Sequence, residues 1–381
     1  MIPFNKQHIF GPELDYVQDA FDQGKVSGDG KYTALCKSLI EERLQVRHAL
    51  LTTSATHALE MAALLADIGP GDEVIMPSYT FVSTANAFVL RGAKPVFCDI
   101  REDNLNMDES LIEGLVTDRT KAVCPVHYAG VACDMDVIMD VADRHGLVVI
   151  EDAAQSIGAK YKGRPLGSIG HMSALSFHET KNISCGEGGA LLLRDDQHLE
   201  RAEILREKGT NRSQFFRGEV DKYTWVDVGS SYLPSDINAA FLWAQLERLD
   251  EITARRKAIT SRYREGFQAL ADDGVVRLPV TNDFAEPNHH MFYLLANSLE
   301  ARAELISHLK QRGVMAVFHY VPLHRSPFYL RTFGDCELPV TEDLSDRLVR
   351  LPLYFSLGDA EVDRVVEAVR DFFVLSPGRT Q

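Results

Sequence analysis

The sequence predicts an α/β fold, in which a large domain with a mostly parallel sheet precedes a smaller α+β domain. Two observations predict it: short apolar runs alternate with amphipathic stretches over residues 46–193, and the pattern changes after Pro279. Such alternation is typical of βαβ units whose sheet is covered on both faces. A helix over 134–145 separates two of the runs. The runs predicted as parallel strands are 49–51, 73–76, 95–98, 122–126 and 147–150.

The later elements follow from the same patterns. Runs at 174–177 and 189–193 are joined by a short connection, which predicts an antiparallel finish to the sheet. A long helical region from 235 past 264 is expected to bridge two domains. The small domain is then predicted as strand 290–296, helix 299–312, strand 314–320 and helices near Leu344 and Ala360. We predict a large domain with an N-terminal arm over 1–250 and a small domain over 251–381.

Composition excludes several classes of protein. The formal net charge of −15 over 381 residues argues against nucleic acid as a partner, because phosphate binding needs a basic face. The six cysteines show no CxxC spacing, which favours reduced thiols and a cytoplasmic setting. The first residues lack the pattern of a signal peptide, and no apolar stretch approaches membrane-spanning length. We therefore expect a cytoplasmic protein with no membrane partner.

Lys181 and Asp152 carry the strongest chemical signal. Asp152 ends a buried run, and Lys181 lies in a polar loop just before the glycine-rich turn at 186–189. Pyridoxal phosphate (PLP) requires this pairing: the lysine forms a Schiff base with the cofactor, and the acid keeps the pyridine nitrogen protonated. Taken separately, a strand-end acid can cap a helix, and most lysines are solvated. Together they favour catalytic roles for both residues.

A phosphate site is predicted where the apolar run at 49–51 gives way to a helix. Ser54, Ala55 and Thr56 begin that helix, and its free backbone N–H groups favour an anion. Ser176 is expected to donate to the same phosphate from its own strand. Simple N-capping by Thr53 or Ser54 is the alternative interpretation of this segment.

Aromatic and polar residues nearby complete the predicted cofactor site. Phe81 is expected to stack on the cofactor ring, since offset stacking of aromatics is favourable. Core packing is the more common fate of a phenylalanine. Gln155, three residues beyond Asp152, is expected to reach the phenolic oxygen of the cofactor.

The histidines of the C-terminal half do not predict a metal site. His319 and His324 flank Tyr320 in one motif, and His289 adjoins His290, but neither pair has a third nearby ligand. A pocket for a polar substrate is the functional interpretation of the first motif. A satisfied structural histidine is the alternative for each of the four.

These motifs together identify a family resemblance. Over nearly its whole length the chain resembles the sugar-nucleotide aminotransferases of the DegT/DnrJ/EryC1/StrS family, which share fold type I with aspartate aminotransferase. The segments that carry the resemblance are 28–30, 54–59, 77–81, 151–155, 176–181, 186–189 and 319–324.

The resemblance implies a homodimer with PLP at the subunit interface, L-glutamate as amino donor and a nucleotide-linked keto-sugar as acceptor. It gives Lys181 and Asp152 their catalytic roles and places the other cofactor-binding residues around the same ring and phosphate. We expect substrate contacts from a second set: His178, His319, Tyr320, His324 and Gly28.

One segment departs from the family pattern. In 229–235, Ser231 stands where many members have asparagine, and Leu233 where they have arginine. Ser231 is expected to reach the cofactor of the partner subunit. Together with the segments 178–181 and 315–319, this variant most resembles transaminases that convert dTDP-4-keto-6-deoxy-D-glucose to dTDP-4-amino-4,6-dideoxy-D-galactose for surface polysaccharides.

Four other functions are alternatives to this one. The acceptor could be another nucleotide-linked keto-sugar, and a catalytically silent regulatory homologue would keep the same fold. A related dehydratase subfamily has histidine where Lys181 stands, so the lysine argues against it. A nicotinamide-binding protein is disfavoured because no GxGxxG follows the early strands.

Overall fold

A computed structural model describes residues 1–374, so residues 375–381 of the predicted small domain lie outside the described part. The strands are β1 (His48–Thr52), β2 (Glu73–Pro77), β3 (Lys94–Cys98), β4 (Thr120–Val123), β5 (Val148–Asp152), β6 (Lys160–Tyr161), β7 (Arg164–Pro165), β8 (Met172–Ser176), β9 (Gly189–Leu193), β10 (Ala285–Glu286), β11 (Phe292–Leu295) and β12 (Leu348–Leu351). The helices are α1 (Pro12–Asp22), α2 (Lys31–Leu44), α3 (Ala55–Leu65), α4 (Val82–Val89), α5 (Ile112–Leu115), α6 (Met135–His145), α7 (Leu199–Arg206), α8 (Arg212–Phe216), α9 (Asp236–Leu246), α10 (Leu249–Asp272), α11 (Leu299–Gln311), α12 (Pro327–Phe333), α13 (Pro339–Arg347) and α14 (Asp359–Val374).

The large sheet has the order β1-β9-β8-β5-β4-β2-β3. Strands β8, β5, β4, β2 and β3 run parallel, and β9 is antiparallel to both of its neighbours. The predicted parallel sheet and antiparallel finish are therefore confirmed, although β9 lies inside the sheet rather than at its edge. Its register sets Gly189 opposite both Thr52 and Ser176, which brings the ends of β1 and β8 together.

Helix α6 shows why the local sequence folds as it does. Its buried residues Met135, Ile138, Val141 and Ala142 repeat at helical spacing and face one side. The helix stops at Gly146, which takes the left-handed conformation (φ 64°) that glycine adopts without steric cost. The predicted helix over 134–145 is confirmed to within one residue.

A second structural unit contains the antiparallel pair β11–β12 and a separate apolar core against α10, α11 and α14. The predicted helix bridging the two regions is divided into α9 and α10. The predicted domain boundary at residue 250 falls in the first turn of α10, and the division itself stays a prediction. Within residues 1–374, no helix is both long enough and apolar enough to cross a bilayer.

The predicted strand over 314–320 is wrong. The segment is extended but forms only isolated bridges, from Val314 to Ile2 and from Val317 to Arg350. Backbone bonds explain the difference: Ile2 accepts from the N–H of Met315, while Val317 and Arg350 exchange N–H···O bonds of 2.7 and 3.2 Å. Because two different partners divide the segment, no continuous ladder forms.

Candidate active site

A cavity of about 470 Å³ lies at the carboxyl ends of β5 and β8. This is the edge at which open α/β sheets bind ligands, and the volume is typical of a small-molecule site. The structure brings most of the predicted site residues into its lining: Ser54, Ala55, Thr56, Phe81, Asp152, Gln155, Ser176, His178, Lys181, His319 and Tyr320.

Asp152 is held in one orientation. It is the last residue of β5 and only 6% exposed. The Thr84 hydroxyl donates to its Oδ2 at 2.6 Å, and the Ala154 N–H donates to Oδ1 at 3.1 Å. Because Thr84 gives its proton to Asp152, the Thr80 hydroxyl 2.7 Å away donates to Thr84 in turn. These bonds fix the carboxylate and leave it lone pairs for a further donor from the cavity.

Lys181 lies in the loop between β8 and β9, where its backbone N–H donates to His178 O at 2.9 Å. Burial lowers the pKa of its amine to about 8; attraction by Asp152 opposes this shift, and repulsion by Arg350 adds to it. A far larger fraction of the amine is therefore unprotonated near neutral pH than for a solvated lysine. An unprotonated amine is what a nucleophile or general base requires.

The predicted phosphate site is built at the start of α3. Ser54 is the N-cap, and its Oγ accepts from the His57 N–H at 3.1 Å, so the capping interpretation of this segment is correct. The same residue lines the cavity with its hydroxyl proton free for another acceptor. A Cβ on Gly189 would come within 2.4 Å of Ser54 C and 2.5 Å of Ala55 N. Only glycine lets β9 approach the helix start this closely.

Gln155 and Phe81 differ in how firmly they are held. The Gln155 side chain accepts from Ala129 N at 2.8 Å and donates to the Tyr320 hydroxyl at 3.1 Å, so both ends of its amide are fixed. Phe81 is 56% exposed, and its ring lies 6.3 Å from that of Tyr320. Phe81 is therefore free to contact a planar ligand, whereas Gln155 is oriented in advance.

His319 and Tyr320 form a second wall of the cavity. Their rings stack at 3.6 Å, and His319 Nδ1 is 2.8 Å from the Tyr128 hydroxyl. Burial, with repulsion from Arg350 and Lys181, holds the pKa of His319 well below its ordinary value. His319 is therefore neutral at physiological pH.

His324 does not join this wall, which corrects its predicted substrate contact. It is fully buried; Nδ1 is 2.7 Å from Ser78 Oγ, and Nε2 is 3.1 Å from a Glu342 oxygen. With both ring nitrogens occupied by protein groups, it is a structural histidine. Within residues 1–374, no group of three or more His, Cys, Asp or Glu residues is placed to hold a metal ion.

Gly28 and Ser231 also lie outside the cavity lining of their own chain. A Cβ on Gly28 would come within 2.3 Å of Leu233 Cγ and 2.4 Å of Pro234 O, so the glycine permits close packing against that loop. Ser231 is exposed and forms an isolated bridge with Glu207. Neither lines this chain's cavity, so the predicted ligand contact of each stays a prediction.

Several residues that line or support the cavity carry no signal that was recognised in the sequence. Thr84 holds Asp152, and His290 is buried with Nδ1 2.9 Å from Asn182 Oδ1. Arg350 and Phe4 line the cavity, and the Arg350 Cζ lies 4.7 Å from the centre of the Phe4 ring. A signal for Arg350 was present, because it interrupts an otherwise apolar strand.

Comparison with known proteins identifies the family. The model of the DegT/DnrJ/EryC1/StrS aminotransferase family matches residues 8–370. The chain belongs to this family. It is 37% identical over 379 residues to the spore coat polysaccharide biosynthesis protein SpsC of Bacillus subtilis, covering 97% of this chain and 96% of SpsC.

Solved structures agree with the family match. The aminotransferase TlmJ of Streptoalloteichus hindustanus is 29% identical, with a TM-score of 0.91 over 99% of this chain and 100% of TlmJ. The putative sugar aminotransferase Spr1654 of Streptococcus pneumoniae, in its PMP form, is 28% identical with a TM-score of 0.90, over 98% of this chain and 99% of Spr1654. Its PLP form has also been solved. The chain is thus a PLP-dependent aminotransferase of fold type I, as the sequence predicts.

The residues present fit PLP. The cavity offers a fixed carboxylate with lone pairs to spare, an amine of lowered pKa, and a helix start that Gly189 keeps accessible. These are the groups needed for a pyridine nitrogen, an aldehyde and a phosphate, respectively.

Proposed function

We propose that the protein transfers the amino group of L-glutamate to C4 of dTDP-4-keto-6-deoxy-D-glucose, giving 2-oxoglutarate and dTDP-4-amino-4,6-dideoxy-D-galactose. The observation that carries the proposal is the convergence of Lys181 and Asp152 on one cavity. The names of the relatives support a sugar substrate, since SpsC belongs to polysaccharide biosynthesis and Spr1654 is a putative sugar aminotransferase. The variant segment 229–235 supports the particular sugar.

Each residue has a defined task in this reaction. PLP, when bound, carries the amino group between the two substrates and accepts the electron pair released at carbon. Asp152 accepts a hydrogen bond from the pyridine N–H and keeps that nitrogen protonated. Lys181 Nζ removes the proton from Cα of glutamate and later returns a proton to C4 of the sugar. Ser54, Thr56 and Ser176 hold the phosphate by hydrogen bonds.

The second wall, formed by His319 and Tyr320, suits a polar sugar. The stacked pair His319–Tyr320 offers an uncharged ring and a hydroxyl, and His178 lies at the rim with Nε2 3.6 Å from Glu187 Oε1. Neutral groups such as the His319 ring and the Tyr320 hydroxyl bind sugar hydroxyls without the desolvation cost of a charge. We assign the sugar to these three residues and to Phe81.

A cytoplasmic homodimer is part of the proposal. Trp225 is 78% exposed, and Val226 and Val228 are at least half exposed, in the stretch that leads to Ser231. Exposed apolar residues clustered in one loop favour contact with another protein surface. A second copy would cover this loop and bring Ser231 to the partner's cofactor.

The test is to incubate the holoenzyme with L-glutamate and dTDP-4-keto-6-deoxy-D-glucose and to identify the nucleotide product by mass spectrometry and NMR. An axial amine at C4 is expected. Conversion of bound PLP by glutamate without an aminated product would mean another keto-sugar acceptor. No reaction with glutamate or any other amino donor would point to a catalytically silent homologue. Light scattering of the same sample tests the dimer.

A further inference from the structure

Arg350 is a half-buried cation that pairs with no acidic side chain of residues 1–374. It lies on β12, lines the cavity, and its Nε is buried without any hydrogen bond. Among residues 1–374 it forms no salt bridge, although the chain carries 55 acidic residues. Burial lowers the pKa of its guanidinium. A charge removed from water without compensation is costly, so such a group in a binding cavity indicates an anionic ligand.

The N-terminal arm holds this guanidinium in place. Phe4 lies under it at 4.7 Å, a distance typical of a cation–π contact. The arm is fixed on both sides of Phe4: Ile2 is paired with Val314, and the Asn5 side chain donates to Glu179 O at 3.1 Å. Arg350 is therefore oriented by a segment that reaches from the small structural unit to the loop of Lys181.

Few other charges surround Arg350. Asp152 lies in the same cavity, and its carboxylate already accepts two hydrogen bonds. His290 is buried and His319 is half-buried, and desolvation holds the pKa of each well below its ordinary value, so both are neutral. Arg256 is buried as well, with its Nε donating to the His289 carbonyl at 2.9 Å. Of the two acidic residues that line the cavity, Asp152 is already hydrogen-bonded and Glu187 lies 3.6 Å from His178 Nε2, so neither is paired with Arg350.

We propose that Arg350, positioned by Phe4, binds a carboxylate group of the amino donor through its unpaired guanidinium. Two anions other than a donor carboxylate enter this cavity. The cofactor phosphate is accounted for at the start of α3. The diphosphate of a nucleotide sugar is separated from C4 by the width of the sugar ring, whereas the α-carboxylate of an amino acid is one bond from the carbon that Lys181 deprotonates. Arg350 is close enough to Lys181 to repel it electrostatically, which favours the carboxylate.

This inference rests on the proposed amino donor, but not on the identity of the sugar. Its test therefore uses the PLP holoenzyme without any sugar. Glutarate, a dicarboxylate that has no amine and cannot react, is titrated by calorimetry into the wild-type enzyme and into Arg350→Gln. We expect Arg350→Gln to bind glutarate roughly 10- to 100-fold more weakly, the range for losing a charge-assisted hydrogen bond. Arg350→Lys should recover part of the affinity, since it keeps the charge but not the planar fork.

Two variants serve as controls. Arg312→Gln removes an arginine of the same unit that is paired with Asp371 outside the cavity, and it should leave glutarate affinity unchanged. Phe4→Ala keeps Arg350 but removes the ring beneath it, and it should weaken glutarate about threefold, as loss of a cation–π contact predicts. The visible absorbance of bound PLP in each variant shows that the site has folded.

The two half-reactions, measured separately by rapid mixing, show whether Arg350 binds a carboxylate of the amino donor or the diphosphate of the nucleotide sugar. With L-glutamate, Arg350→Gln should lower kcat/KM by the same factor as glutarate binding, while the keto-sugar half-reaction changes less than about threefold. An equal loss of kcat/KM with L-alanine and with L-glutamate would mean that Arg350 binds the α-carboxylate. A loss of kcat/KM with L-glutamate alone would mean that it binds the distal carboxylate. If the wild-type enzyme reacts with neither amino acid but binds glutarate through Arg350, L-glutamate is not the amino donor, whereas the carboxylate site at Arg350 is supported. Unchanged glutarate binding, or a loss confined to the keto-sugar step, would overturn the proposal.

Discussion

The two walls of the cavity are built by different parts of the molecule and by different means. Strand ends and a helix start of the large sheet form the cofactor wall, which contains Asp152, Ser176 and Ser54. The other wall comes from β12, an extended segment and the N-terminal arm, and it contributes Arg350 and His319. A sheet edge fixes its groups by register, whereas the second wall depends on contacts between distant segments. The fixed wall suits a chemistry shared by many enzymes, and the assembled wall suits the selection of a substrate.

The largest effect is expected on the cofactor wall from Lys181→Ala. This change removes both the amine that attaches PLP and the base that moves the proton, so turnover should fall by at least about a thousandfold. PLP should still bind through its phosphate and through Asp152. Steady-state assays and equilibrium dialysis measure the two properties. Appreciable turnover by the variant would contradict the role of Lys181.

Asp152→Asn should reduce kcat by about a hundredfold. The amide is isosteric and its oxygen can still accept from Thr84, so the fold is preserved while the charge is lost. The loss corresponds to the 1.5–3 kcal/mol of a hydrogen bond to a charged group. Steady-state kinetics measure it, and Asp136→Asn, at an exposed pair with Lys162, is the matched control. A rate close to wild type would show that the carboxylate does not activate the cofactor.

The pH dependence of cofactor uptake tests the lowered pKa of Lys181. Only the unprotonated amine reacts with PLP, so uptake by the apoprotein should accelerate about tenfold per pH unit below pH 8. It should level off above the pKa of about 8. Stopped-flow absorbance at several pH values measures the rate. A rate still climbing at the pKa of a solvated lysine, about 10.4, would show that burial has not lowered it.

Gly189→Ala should weaken PLP binding by about tenfold, because its Cβ would collide with the backbone of Ser54 and Ala55. Overpacking of this kind costs roughly 1–3 kcal/mol. Gly114→Ala, where a Cβ would have nothing within 4 Å, is the control. Fluorescence titration with PLP compares the two affinities. Equal affinities would mean that β9 and α3 can separate without affecting the phosphate site.

The smallest effects are expected at the two histidines of the 319–324 motif, of which only His319 lines the second wall. His319→Gln should raise KM for the keto-sugar several-fold with little change in the free energy of unfolding. His324→Gln should lower that free energy by about 1–3 kcal/mol with KM unchanged, since it disturbs buried bonds to Ser78 and Glu342. Urea unfolding and steady-state kinetics separate the two. A raised KM in His324→Gln and a lowered free energy of unfolding in His319→Gln would contradict this assignment of the two histidines.

The sequence was sufficient to predict the cofactor wall because its groups are local. A strand that ends on Asp152, a lysine before a glycine turn, and small hydroxyl residues at a helix start are each visible within a few residues. The parallel sheet places such ends at one edge, so their meeting follows from the fold class. The position of β9 inside the sheet was not predictable, because a short connection shows that two strands pair but not what lies beyond them.

The second wall could not be predicted because its contacts are not local. The pairing of Arg350 with Val317, and of Ile2 with Val314, joins segments that no periodicity connects. The same limit explains His324, whose motif resembles that of a pocket residue but whose partners, Ser78 and Glu342, lie elsewhere in the chain. Long-range pairing decided which of the two histidines lines the cavity.

Identifying the lysine that carries the cofactor tests the account most directly. The holoenzyme is reduced with borohydride, digested, and its peptides are sequenced by mass spectrometry. We predict a single reduced-cofactor adduct, on Nζ of Lys181. An adduct on another lysine, or none on the peptide that contains Lys181, would contradict the assignment of this cavity as the active site.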